Sequence, residues 1–261
     1  MTGTVAAAYS ATAAAWARGP APVYDRLAEV VVGLSPVPLR DRLVLDLGAG
    51  TGAASRAIAR AGGRVVAVDV ALGMLGAGRD DRPPAAVAEA GALPLADRSL
   101  GGVVASFSLN HVDDPVGALV EAKRVTVPGG PILVSSYAED DDHPVKHAVD
   151  AALTARGWCP PPWFQRMRST GAFALGTGDR CAHVARLAGL DPTVHALRVG
   201  FPELGATEMV AWRLDLAQAA PFVASLGSLE RSALVADALA RLGAGWPPLE
   251  RSVLVIAALT P

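Results

Sequence analysis

The chain of 261 residues has two cysteines, 5% aromatic residues, few lysines and no apolar run long enough to span a membrane. Cys159 and Cys181 are too few for a disulfide framework, and their spacing matches no metal site. Lys and Arg are scattered, with a formal net charge of −2, so no basic stripe is available to neutralise a phosphate backbone. That excludes dedicated nucleic-acid binding. The opening stretch, MTGTVAAAYSATAAAWARG, has no basic start, no long apolar core and no processing signal. With no membrane insertion expected either, the reading is a soluble protein of the reducing cytoplasm.

What is present is apolar residue in quantity, 51% of the chain, concentrated in Ala, Val and Leu with many Gly and Pro. Burying a core is therefore no difficulty. Residues 5–18 and 22–34 read as helices parted by Gly19-Pro20. Four short apolar runs then follow in order, 43–48, 64–70, 84–90 and 99–108, and a fifth covers 131–137. Helical stretches at 53–61, 72–79 and 115–125 lie between them. Buried strands alternating with helices at this spacing predict a doubly wound α/β fold around a mostly parallel sheet. After Tyr137 the rhythm changes: helices are predicted over 143–156 and 179–189, and strands over 194–199 and 252–259. Two further helices, 206–225 and 228–242, fill the gap between those last strands.

Asp46-Leu47-Gly48-Ala49-Gly50-Thr51-Gly52 joins a strand to a helix N-terminus. Glycines there let backbone amides approach a ligand, and the helix end offers unpaired N–H groups. Gly48-x-Gly50-x-x-Ala53 also satisfies the dinucleotide pattern, with Asp69 placed to hold a ribose. Against the dinucleotide reading, Asp46 sits inside the first strand and Glu89 ends the third, so three successive strands deliver a carboxylate to one rim. An acid-rich rim suits a cationic ligand better than a pyrophosphate, and an ammonium, a ribose diol and an adenine can all use such acceptors. In the plainer alternative Asp46 only bonds loop amides.

With these motifs the chain resembles the class I S-adenosylmethionine-dependent methyltransferases, in particular the small-molecule group that includes ubiquinone-biosynthesis-type enzymes. DLGAGTG is similar to their first motif and VVAVDVALGML to the second. AEAGALPLADRSL is similar to the adenine segment, and LNHVDDPVGALVEAKRVTVPGG to the stretch between the fourth and fifth strands. The resemblance covers roughly residues 40–137. It implies a seven-stranded sheet, with residues 1–38 as an N-terminal helical cap and 39–261 as the cofactor-binding domain. Cap insertions would fall at about 138–178 and 200–250. It implies S-adenosylmethionine as cofactor, with Asp46, Gly48, Ala49 and Gly50 at the methionine part and Asp69 with Val70 at the ribose. Glu89 and Ala90 would meet the adenine, Met74 would flank the adenosine, and Ser106 with Phe107 would lie beside the sulfonium. Tyr9 would close the pocket. The chain departs from the family pattern at Gly101, where Asp is usual, and at Gly73, Gly76 and Gly78, which replace helix formers.

The expected acceptor is a small hydrophobic molecule methylated on O, N or C. A macromolecule methyltransferase, a protein of this fold that has lost transfer or catalyses another reaction, and a nicotinamide-dependent oxidoreductase are the alternatives. A base is needed only for a poorly ionised acceptor, and His111, after the fourth strand, is the candidate. Its plainer role is a loop histidine bonded to Asp113 or to backbone. Glu139-Asp140-Asp141-Asp142-His143 reads as a solvated loop with Asp142 capping a helix rather than as a metal cluster, so no metal is expected. His147 is expected at the surface, His183 and His195 in structural elements. Trp158 and Trp163, among prolines, would line an apolar acceptor pocket or pack a cap helix, and Trp212 with Phe222 extends that reading. Residues 1–36, 143–168 and 203–248 together would roof the acceptor. Their aromatics would equally suit the interface of a homodimer.

Overall fold

The β-branched and leucine-rich runs read from the sequence all become strands of one sheet. The structure, a computed structural model, describes residues 2–77 and 82–261; Gly78 and the end of the expected 72–79 helix lie outside the described residues. Helices α1 (Thr2–Arg18) and α2 (Ala21–Gly33) come first, then β1 (Leu43–Leu47), α3 (Ala53–Arg60), β2 (Arg64–Asp69), α4 (Leu72–Ala77) and β3 (Ala85–Val87). Next are β4 (Gly102–Ser106), a single 3₁₀ turn (Leu109–His111), α5 (Pro115–Val125), β5 (Pro131–Tyr137) and α6 (Pro144–Thr154). The remainder is α7 (Pro162–Ser169), α8 (Gly171–Ala174), α9 (Gly178–Leu187), β6 (Thr193–Phe201), α10 (Ala206–Leu214), α11 (Ala220–Ser225), α12 (Ser228–Leu242) and β7 (Leu249–Leu259).

The strand order is β3-β2-β1-β4-β5-β7-β6 in a seven-stranded sheet. β1 to β5 pair in parallel, and only β7 runs antiparallel to its neighbours. This is the doubly wound architecture expected of the class I methyltransferase type. Side chains alternate across the sheet. Val44, Val104, Leu133 and Val255 face Leu27 and Val31 of α2 and Val149 of α6. Leu45, Leu47, Val103, Ile132 and Ile256 face Leu119 of α5 and Val184 of α9. Asp46 therefore points to the same side as Val44, toward α3, and the switch in strand order between β1 and β4 opens a crevice at the strand ends beside it.

Several expected elements differ. The single helix over 206–225 is two: α10 ends at Leu214, and α11 starts at Ala220 with Pro221 in its first turn, where a missing N–H costs no helical bond. The third strand stops at Val87, and Glu89 lies beyond it in an isolated bridge to Ala92. Helix α6 is capped by His143, whose Nδ1 accepts from the Val145 amide at 3.2 Å, and not by Asp142, which pairs with His147 at 2.7 Å. Nor is the acidic run simply solvated. The Asp141 side chain is 3% exposed, bonded to Arg251 of β7 and to Lys146.

Gly73 has a packing reason. A Cβ there would lie 2.5 Å from the Ser10 carbonyl oxygen, and the Gly73 amide donates to Ser10 Oγ at 3.1 Å. Its missing side chain is what lets α1 cross directly over α4. At Gly101, where the family pattern has an acid, the backbone itself supplies the sheet-edge bond, donating to the Leu43 carbonyl at 2.7 Å.

Candidate active site

The strand ends of β1, β2 and β4 surround a cavity of about 540 Å³, covered from outside by α1 and α7. That volume falls in the roughly 300–1,000 Å³ range of small-molecule sites. The glycine loop forms one wall. Gly48 has φ +77°, and a Cβ on it would stand 2.2 Å from that of Ser108, so only glycine lets β1 and β4 come this close. Ser108 Oγ closes the junction by donating to the Leu47 carbonyl at 2.6 Å.

The acids of the rim are held differently from one another. Asp46 is 1% exposed and accepts from Ser55 Oγ of α3 at 2.6 Å, so it does not bond the loop amides. Burial pushes its carboxyl up to about 6, against the smaller opposing effect of the Ser55 bond. Asp69 takes the loop-organising part: its oxygens accept from the Gly50 and Ala71 amides, both at 2.7 Å. Burial raises its pKa too, with those backbone bonds pulling the other way. A carboxylate has about four acceptor positions, so Asp69 keeps capacity for further donors. Glu89, with Ala90, lines the cavity from an exposed bend after β3.

On the β4 side Ser106 and Phe107 line the cavity. Phe107 has φ +54°, a strained conformation for an aromatic residue, held by its amide donating to Ser135 Oγ at 3.1 Å. The 3₁₀ turn then delivers His111. Its Nε2 lies 3.3 Å from the Tyr9 hydroxyl, and its Nδ1 is buried without a partner. It bonds neither Asp113 nor backbone through its ring; Asp113 instead pairs with Arg166 of α7 at 3.1 Å. Burial lowers the His111 pKa to about 4, so the ring is neutral at pH 7. Burial likewise holds the Tyr9 hydroxyl well above the ordinary phenol range.

Thus Tyr9, Asp46, Gly48, Ala49 and Gly50 meet around one cavity with Asp69, Val70 and Met74. Glu89, Ala90, Ser106, Phe107, His111 and Trp163 complete the expected set that the fold brings together. Trp158 and Trp212 do not join them. Trp158 is 6% exposed and its Nε1 donates to the Gln218 carbonyl, while Trp212 is 1% exposed beside Arg251. Among the described residues none from 143–161 or 203–248 lines the cavity, so the expected roof reduces to α1 and α7. Helices α10 and α12 pack on α6 instead.

Trp16, one of the tryptophans of the expected roof, lines the cavity too, as do Tyr24, Arg166 and Met167, which were not singled out in the sequence. Two signals point to them. Tyr9 and Trp16 are seven apart, hence on one face of α1, and Trp163, Arg166 and Met167 follow the i, i+3, i+4 spacing of one face of α7. Among the described residues, no group of three His, Cys, Asp or Glu is placed to hold a metal, and no helix is long and apolar enough to cross a membrane.

Residues 45–134 match the family model described as a methyltransferase domain. Outside it, similarity is partial. A demethylmenaquinone methyltransferase of Renibacterium salmoninarum is 40% identical over 136 residues, 51% of this chain and 56% of the relative. One of Streptomyces avermitilis is 41% identical over 97 residues, 36% of this chain and 42% of that protein. The chain thus spans about half the length of the curated relatives it matches. In fold, the domain and its surroundings are similar to phosphoethanolamine N-methyltransferase 2 of Haemonchus contortus, solved with phosphomonomethylethanolamine and S-adenosylhomocysteine. The TM-score is 0.56 at 18% identity, over 90% of this chain and 52% of that one. The cyclase SpnF gives a TM-score of 0.58 at 20% identity, over 91% and 81%. The cavity residues from Asp46 to Ala118 fall inside the matched segment, whereas Tyr9, Trp16, Tyr24 and Trp163 fall outside it.

Proposed function

We propose that the protein transfers a methyl group from S-adenosylmethionine to O, N or C of a small, largely apolar organic acceptor. The observation that carries this reading is one cavity lined by two halves of opposite character. Asp46, Asp69 and Glu89 make an acidic half at three strand ends, and Tyr9, Trp16, Trp163 and Met167 make an apolar half against His111. The acidic half fits S-adenosylmethionine. The Gly48–Gly50 backbone and Asp46 suit its zwitterionic methionine, Asp69 has acceptor capacity left for ribose hydroxyls, and Glu89 with Ala90 suits the adenine. When bound, that cofactor supplies an electrophilic methyl group on a sulfonium. This chain's residues do the rest by positioning. Helices α1 and α7 enclose the acceptor and exclude water, and a mouth so covered suits a small molecule better than a polymer. His111 lines the cavity as a neutral imidazole, its Nε2 3.3 Å from the Tyr9 hydroxyl, and is the group placed to take a proton from the acceptor.

Calorimetry tests the reading. S-adenosylhomocysteine should bind more tightly than NAD or NADP; tight dinucleotide binding with no response to the homocysteine nucleoside rejects it. Binding should also depend on pH. A cationic ammonium near Asp46 favours its carboxylate form, so the bound pKa falls below the free value of about 6 and binding releases a proton. Affinity should rise as pH increases through the window below about 6 and level off above it. An affinity that stays flat from about pH 5 to 7 removes Asp46 from the ammonium site.

A further inference from the structure

Helix α7 covers the cavity yet is held there by little. None of its residues is buried, although Trp163 and Met167 turn half-buried side chains to the cavity. The chain enters it through Pro160, Pro161 and Pro162 and leaves it through Thr170 and Gly171. Most of its side-chain bonds are local: Gln165 donates back to the Pro160 carbonyl, and the Ser169 and Thr170 hydroxyls donate to that of Arg166. Among the described residues one hydrogen bond reaches from α7 to a distant part of the chain. Arg166 Nε donates to Asp113 Oδ1 at 3.1 Å, and both residues line the cavity.

Where that bond lands is the informative part. Asp113 follows His111 by two residues, at the end of the 3₁₀ turn that delivers the histidine. The same turn is gripped from α8: a Cβ on Gly171 would lie 2.7 Å from the Asn110 carbonyl oxygen and closer still to that of Val112. At the other end of α7 the Trp163 ring stands 6.0 Å from that of Tyr9, whose hydroxyl is 3.3 Å from His111 Nε2. Three contacts from residues 163–171 thus converge on His111 and its neighbours. The Gly171 contact fixes only the far end of α7, and the Trp163 contact is apolar and without direction. The ion pair is what fixes the middle of the helix against the turn.

We propose that Arg166 is a positioning residue: through Asp113 it locks α7 onto the turn that carries His111, holding Trp163 and Met167 over the acceptor and keeping water from the histidine. The inference rests on reading the cavity as a methyl-transfer site. The Arg166 and Asp113 side chains are 51% and 47% exposed, so the pair adds little to global stability. Weakness suits the task. A cavity covered by α7 has to open to admit the acceptor and release the product, and a half-solvated pair breaks and reforms easily where a buried one would not.

The test is modification of the full chain by diethyl pyrocarbonate, which acylates neutral imidazole that it can reach, with the rate at each histidine read by fragmentation mass spectrometry. His111 is neutral at pH 7, so access sets its rate. His143, buried as the cap of α6, reports any general loosening, and the exposed His147 is the unrestricted reference. In Arg166→Ala, His111 should react about two- to fivefold faster than in the parent, the effect open to a half-exposed ion pair. His143 should keep its parent rate. Asp113→Asn should match Arg166→Ala, the double variant should add nothing further, and Arg166→Lys, which keeps a cation within reach, should restore most of the slow rate. An unchanged His111 rate in the folded Arg166→Ala protein overturns the proposal. An equal rise at His143 overturns it too, because the pair would then be holding the fold as a whole. Failure of the parent to bind S-adenosylhomocysteine counts against the methyl-transfer reading instead, and the modification rates, measured without ligand, still decide the lock.

Discussion

His111→Ala should lower kcat by about 10²–10⁴ with the true acceptor, the usual effect of removing a general base, and leave S-adenosylhomocysteine affinity nearly unchanged. The split is expected because His111 lines the cavity from the turn after β4, away from the glycine loop and the acids. Its Nε2 lies 3.3 Å from the Tyr9 hydroxyl, and both side chains line the cavity. The pH profile carries a second signature. Burial lowers its pKa to about 4, so the basic form is already present at neutral pH and is lost only as pH falls through that value. Activity attributable to His111 should therefore have its acid limb near 4 and be level from there to neutrality. A base this weak suits an acceptor whose proton departs late in the transfer, or one already partly ionised. Near-normal turnover of the variant would reduce His111 to a positioning residue and favour an acceptor that reacts without a base.

The acidic half of the cavity was legible because it is local. DLGAGTG, Asp69 and Glu89 each lie within a few residues of a strand end, and strand ends follow from apolar runs and the glycines that stop them. Period-two alternation even decides which way Asp46 points. What it could not give was the partner: that Ser55 rather than a loop amide receives Asp46 depends on α3 packing across the strand. The acceptor half was less legible because it is assembled from α1, α2 and α7, distant in sequence. Tryptophan in an insertion signals burial, but not burial against what. Trp163 reaches the cavity because α7 lies over its mouth, whereas Trp158, five residues earlier, turns inward to Gln218. Gly73 reads locally as a helix weakness, and only the crossing of α1 over α4 gives it a reason.

Asp141→Ala should destabilise the protein by about 3–5 kcal/mol, the cost of breaking a buried ion pair by removing one partner. Its carboxylate accepts from Arg251 Nε at 3.2 Å and Nη2 at 2.7 Å, from Lys146 Nζ at 2.6 Å and from the Ser252 amide at 2.8 Å. Without it two buried cations face each other across the joint between β7 and α6, and a β7 amide loses its acceptor. Asp140, its exposed neighbour, is the control, and Asp140→Ala should stay within about 0.5 kcal/mol of the parent. Urea denaturation midpoints of the two variants decide between a structural clamp and a solvated acidic loop. The acid side gives an independent check. Burial raises the Asp141 pKa, but Arg251 and Lys146 outweigh it, so the carboxyl lies below its ordinary value. A depressed carboxylate pKa contributes stability that is full above the unfolded-state value and is lost as pH falls through the folded one. The parent protein should therefore lose its advantage over Asp141→Ala on acidification below the ordinary carboxylate range. A gap between the two that persists unchanged to low pH would mean that shape, not charge, is what Asp141 provides.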